Sequence, residues 1–142
     1  TLQGNPTCSK AAIATINVIK EEKLMDNAIK IGNYIKYRFE TMKDKYELIG
    51  DVRGRGLSIG VELLKDRITK EKDKAAAIKI CYRCWQKGVL LIFLAENILR
   101  IQPPLVISFD ETKKAMDIIE NTIIEYVNGL IPDEALNVVR GW

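Results

Sequence analysis

Arg100 is the side chain whose setting most demands a chemical explanation. It lies in Leu99-Arg100-Ile101-Gln102-Pro103-Pro104-Leu105, a cation inside an apolar run that two prolines then stop. A desolvated guanidinium without a partner is costly, so an anion must satisfy it. Its planar fork suits a carboxylate, which accepts two parallel N–H bonds and is thereby oriented. The only acid close in sequence is Glu96. Two readings stay open on the residues alone: a salt bridge to a surface acid, or a ligand. Strand alternation puts Ile98, Arg100 and Gln102 on one face and Leu99 and Ile101 on the other. If the leucine and isoleucine pack on helices, Arg100 looks out of the sheet.

Thr1 is a weaker candidate. It precedes a glycine turn and the helix start in Thr1-Leu2-Gln3-Gly4-Asn5-Pro6, where free N–H groups and the helix dipole favour an anion. By itself the signal is weak, since a threonine near a turn is usually only a turn residue. Cys81-Tyr82-Arg83-Cys84 has C-x-x-C spacing but lies within a helical pattern, without a second pair. Two buried helix cysteines are the simpler account, since a redox pair sits at a helix start beside a strand. Arg53-Gly54-Arg55-Gly56 holds a G-x-G fragment that leads into a strand and lacks a third glycine, so a bulge or tight bend fits better than a phosphate loop. The chain has no histidine, which removes Ser-His and Cys-His pairs and the commonest metal ligand. No metal site and no P-loop are expected.

The 142 residues fit one domain with a core of its own, and the formal charge of +3 is spread through mixed runs such as Lys70-Glu71-Lys72-Asp73-Lys74. Solvated helix ends and loops explain such runs, and no nucleic-acid partner is expected. The longest apolar run, Val89 to Ala95, is too short to span a bilayer, so no membrane partner is expected either. Three cysteines without a framework suggest a reducing compartment, and the expectation is cytoplasmic. The chain begins at Thr1 without a methionine, as though cut from something longer.

These residues need elements to hold them. Asn5-Pro6 reads as an N-cap with proline at N1, opening an alanine-rich helix to about Lys20 whose small residues suggest close packing on another backbone or subunit. Leu24, Ala28, Ile31, Ile35, Phe39 and Met42 form the stripe of a second helix. Leu57, Ile59, Val61 and Leu63 alternate with Ser58, Gly60 and Glu62, a half-buried strand. Lys65 to Lys74 reads as a surface loop before a helix over about 73–87, closed by Gly88. Val89 to Phe93 reads as a core strand, Glu96-Asn97 as a turn, and Ile98 to Gln102 as the return strand. Ser108-Phe109-Asp110-Glu111 matches a capping box opening a helix to Gly129, and the tail from Pro132 is ambiguous. The expected fold class is α+β, a small, largely antiparallel sheet covered by helices on one face.

Three stretches together resemble the C-terminal part of the class III, pyridoxal-phosphate-dependent aminotransferases, the group of 4-aminobutyrate and ornithine aminotransferases. They are Thr1 to Pro6, then Gly50 to Leu57 running into Gly60-Val61-Glu62-Leu63, and Asn97 to Leu105. The resemblance implies the C-terminal domain of a fold-type I enzyme, with residues 1–22 as a connecting helix and 23–142 as the small domain. It implies that Arg100 binds the substrate carboxylate and that Thr1 bonds the cofactor phosphate across a dimer interface. It assigns no catalytic residue in this chain, because the Schiff-base lysine, the aspartate on the pyridine nitrogen and the phosphate loop belong to an upstream domain. The implied reaction moves an amino group from an amino acid or ω-amine to a 2-oxo acid, in a homodimer or larger homo-oligomer. The 142 residues alone are expected to be inactive and not to hold pyridoxal phosphate. An amino-acid racemase, epimerase or decarboxylating relative would share the three motifs. A non-catalytic α+β binding module is the rival of another class.

Overall fold

The structure, a computed structural model, describes residues 4–138. Asn5 caps helix α1 (Pro6–Glu21) by accepting the Cys8 N–H at 3.2 Å. None of the residues of α1 is buried, so the small side chains read as a packing face touch little beyond the next helix. Lys23, in the left-handed region, turns the chain into α2 (Leu24–Lys45). The predicted stripe holds there: Leu24, Ile31, Ile35, Phe39 and Met42 are buried, with Ala28 packed beside them.

Strand β1 (Ile49–Arg55) and β2 (Ser58–Asp66) form a hairpin around Gly56-Leu57, in which Gly54 and Gly56 both carry positive φ. That is the tight bend expected of these glycines. β2 runs on to Asp66 and pairs with a short β3 (Glu71–Lys72), so part of the expected surface loop is strand. Helix α3 (Lys74–Gln86) is capped by Asp73, whose Oδ1 accepts the Ala76 N–H. Then come β4 (Ile92–Leu94), β5 (Ile98–Ile101), α4 (Phe109–Val127) with both bonds of the capping box, and a short α5 (Ala135–Val138).

Every strand pairing is antiparallel, in the order β1-β2-β5-β4 with β3 on the far part of β2. One row across the sheet, Val52, Val61, Leu99 and Phe93, is buried against the helices. Arg38 of α2 ties that layer together, donating to Asp117 at 3.0 Å and Glu120 at 2.7 Å on α4. Arg83 and Lys87 likewise hold Glu125 of α4, each at 2.7 Å.

Two expectations need correction around β4. Val89 to Leu91 lie outside any strand, and Leu90 is 81% exposed. The β4–β5 register explains it: continued past the Ile92–Arg100 pair, Leu91, Leu90 and Val89 would face Ile101, Gln102 and Pro103, with Pro104 next. Proline has no N–H to give the ladder, so the hairpin stops pairing and its two arms part. The turn is also shifted by a residue. Ala95 and Glu96 carry its positive φ angles, while Asn97 is fully buried.

Candidate carboxylate-binding site

Alternation along β5 sends Leu99 and Ile101 into the core and Arg100 to the opposite, exposed face. Its cross-strand neighbours are Gly60 on β2 and Ile92 on β4. Gly60 offers no side chain, and the atom nearest to where its Cβ would stand is Ile98 Cγ2, at 3.2 Å. Arg53 of β1 comes next in the same row but is already engaged, 2.7 Å from Asp51.

Among the described residues Arg100 makes no ion pair or side-chain hydrogen bond. Glu96 faces other cations, with Lys72 at 3.6 Å and Lys74 at 3.7 Å. Glu62 pairs with Ile98, one diagonal step away, and its Oε2 lies on the Gly50 side of the sheet. The surface salt bridge left open on sequence grounds is therefore absent among the described residues.

Where the prolines part the hairpin, a cleft of about 580 Å³ opens beside Arg100. Leu91, Ile92, Gln102 and Pro103 line it, together with Ile35 of α2 and Met116 of α4. An accessible guanidinium at the edge of an apolar cleft can bind and orient a carboxylate, which is a positioning role.

The described residues offer this site no nucleophile. Burial pushes the Cys81 thiol up to about 12 and the Cys84 thiol up to about 11, leaving both protonated. That agrees with the structural reading of C-x-x-C. The Tyr126 hydroxyl donates to Asp73 at 2.9 Å and is likewise held above its ordinary value by burial and by that carboxylate. No group of three or more potential metal ligands occurs among the described residues. The Gly54–Gly56 bend serves the β1–β2 turn. Thr1 lies outside the described residues.

Asn97 was missed as anything but a turn residue. The available signal was parity: it shares the inward-facing alternation of Leu99 and Ile101, where a polar side chain is out of place.

The sequence model of the Aminotransferase class-III family matches residues 1–123. The chain belongs to this family. Class III members include relatives with different reactions. The chain is 47% identical, over all of its length, to the leucine/methionine racemase of Thermococcus litoralis. It is 42% identical, again over its whole length, to the isoleucine 2-epimerase of Lentilactobacillus buchneri. In each case it spans about one-third of the relative, 32%. Among solved class III structures, an amine transaminase from an uncultivated Pseudomonas species, in its pyridoxal-phosphate-bound form, superposes with a TM-score of 0.78 at 29% identity. That match covers 86% of this chain and 28% of the transaminase. The α+β arrangement is thus that of a class III fragment. No helix among the described residues is long and apolar enough to cross a membrane.

Proposed function

We propose that this chain is the carboxylate-binding small domain of a pyridoxal-phosphate enzyme acting on amino acids, with residues 1–22 connecting it to a large domain. The observation that carries the reading is Arg100: an exposed guanidinium without an anion among the described residues, beside a glycine on one face of the sheet. Two of its N–H donors would hold the substrate carboxylate and so fix which bond at the adjacent carbon faces the chemistry. Pyridoxal phosphate, when bound, supplies the electron sink for carbanion chemistry at that carbon. From this chain Thr1 would contact its phosphate. The described residues contribute orientation and a water-excluding apolar wall. The Schiff-base lysine would come from outside these 142 residues, which alone would neither retain the cofactor nor turn over.

Of the reactions open to such an enzyme, racemisation or epimerisation of an apolar amino acid is favoured by the whole-length identities to a leucine/methionine racemase and an isoleucine epimerase. Transamination to a 2-oxo acid is favoured by the family and by the transaminase structures. The reading includes a homodimer or larger homo-oligomer and a cytoplasmic location, in keeping with three unpaired cysteines. The test is to incubate the full-length enzyme with one L-amino acid at a time and no 2-oxo acid. Appearance of the D-isomer or epimer is expected. Turnover that strictly requires a 2-oxo acid would assign transamination instead.

A further inference from the structure

Asn97 has the one buried side-chain polar atom, Oδ1, that finds no hydrogen-bond partner among the described residues. Its other amide atom is engaged: Nδ2 donates to the Leu63 carbonyl at 2.9 Å. The Asn97 carbonyl in turn accepts the Leu63 N–H at 2.8 Å. One residue at the head of β5 thus holds both backbone groups of a single residue of β2. The amide orientation follows, because a carbonyl accepts only from Nδ2. The Leu63 carbonyl is open to it where β2 turns from β5 toward β3, and it also accepts the Asp73 N–H at 3.1 Å.

A buried amide satisfied at one end only weakens a fold relative to an apolar residue of similar size. Its place, three residues before Arg100, shows what it gives in return. The apolar pattern of β5 forbids a one-residue slip against β2, which would turn Leu99 and Ile101 outward. A slip of two residues keeps those side chains in the core, yet carries Arg100 about 6.7 Å along the sheet. The β4–β5 turn fixes β5 against β4 and leaves the register with β2 open. Asn97 closes it. After a two-residue slip it would face Val61, in the middle of the ladder and fully buried, with an amide to satisfy there.

We propose that Asn97 is a positioning residue for Arg100: it pins β5 to Leu63 and so keeps Arg100 in register opposite Gly60. This rests on the reading of Arg100 as the carboxylate ligand.

The test uses the full-length holoenzyme and follows the bound cofactor's absorbance. The probes are L-leucine or L-alanine, whichever perturbs it more, and the corresponding carboxamide. Asn97→Val keeps an apolar strand former in the buried row, and Asn97→Ala is the second variant. Both are expected to weaken the amino acid about tenfold or more, within the roughly hundredfold that a 1 Å misplacement can cost, and to leave the carboxamide within about twofold. Adding Asn97→Val to Arg100→Ala should change nothing further. Equal losses for both probes, additivity with Arg100→Ala, or failure of both variants to fold would make Asn97 a general stability residue and overturn the inference. If Arg100→Ala abolishes the preference for carboxylate while the Asn97 variants keep it, only the positioning role falls. If Arg100→Ala keeps it too, the carboxylate reading falls, and the positioning role with it.

Discussion

Replacing Gly32 by alanine should destabilise the chain, against the usual sense of that change in a helix. Gly32 lies within α2, where the backbone is compatible with any residue, and at an open position alanine would add about 1 kcal/mol through helix propensity. Here a Cβ would lie 2.5 Å from the Gly56 carbonyl carbon and closer still to its oxygen, where ordinary contact begins at 3.4 Å. Both sides are backbone, so no side chain can swing away. Helix and β1–β2 turn would have to part by about 1 Å, and overpacking of that kind costs about 1–3 kcal/mol, with more where neither side yields. Because both sides are backbone the upper end of about 3 kcal/mol applies, and net of the propensity gain we expect a loss of about 2 kcal/mol, or about 4–8 °C in Tm for a chain of this size. Thermal and urea denaturation of wild-type and Gly32→Ala chains, followed by circular dichroism, would measure it. A rise in Tm would refute the close approach of α2 to the β1–β2 turn.

Two further outcomes follow from the same structure. Arg83 and Lys87 hold the Glu125 carboxyl below the usual glutamate value of 4.5, so this pairing stabilises the fold above that pH and is lost as pH falls through the lowered folded value. Glu125→Gln should therefore cost about 0.5–1 kcal/mol at pH 7 and nothing once the wild-type carboxyl is protonated; a deficit independent of pH in urea midpoints would contradict the ion-pair account. In the native chain, a thiol reagent at pH 8 should modify exposed Cys8 quickly and reach buried Cys81 and Cys84 only on unfolding. Three fast thiols would show that the α3 cysteines are not core residues.

The sequence revealed most where local pattern and tertiary packing agree. The α2 stripe, the alternation of Ile59, Val61 and Leu63, and the capping box at Ser108 are all local signals, and each sits where its period or cap placed it. β1 was harder, since Ile49-Gly50-Asp51-Val52-Arg53-Gly54-Arg55 has little strand propensity and is held by pairing with β2. β3 is two charged residues whose strand character comes from β2 alone. Val89 to Leu91 misled in the other direction, because the prolines that deny them a ladder lie more than ten residues away. Arg100 was legible as an outward-facing cation, and parity alone gave its face. What parity could not give is its neighbourhood: Gly60 beside it, Glu96 drawn off to Lys72 and Lys74, and the open arms of the hairpin all depend on which strands pair.

The account stands or falls on Arg100 and the substrate carboxylate. In the full-length enzyme, the ratio of affinities for an amino acid and its carboxamide should fall in Arg100→Ala by about 10–100-fold, the scale of charge-assisted hydrogen bonds, with cofactor content unchanged. A ratio equal to that of the wild type would contradict it.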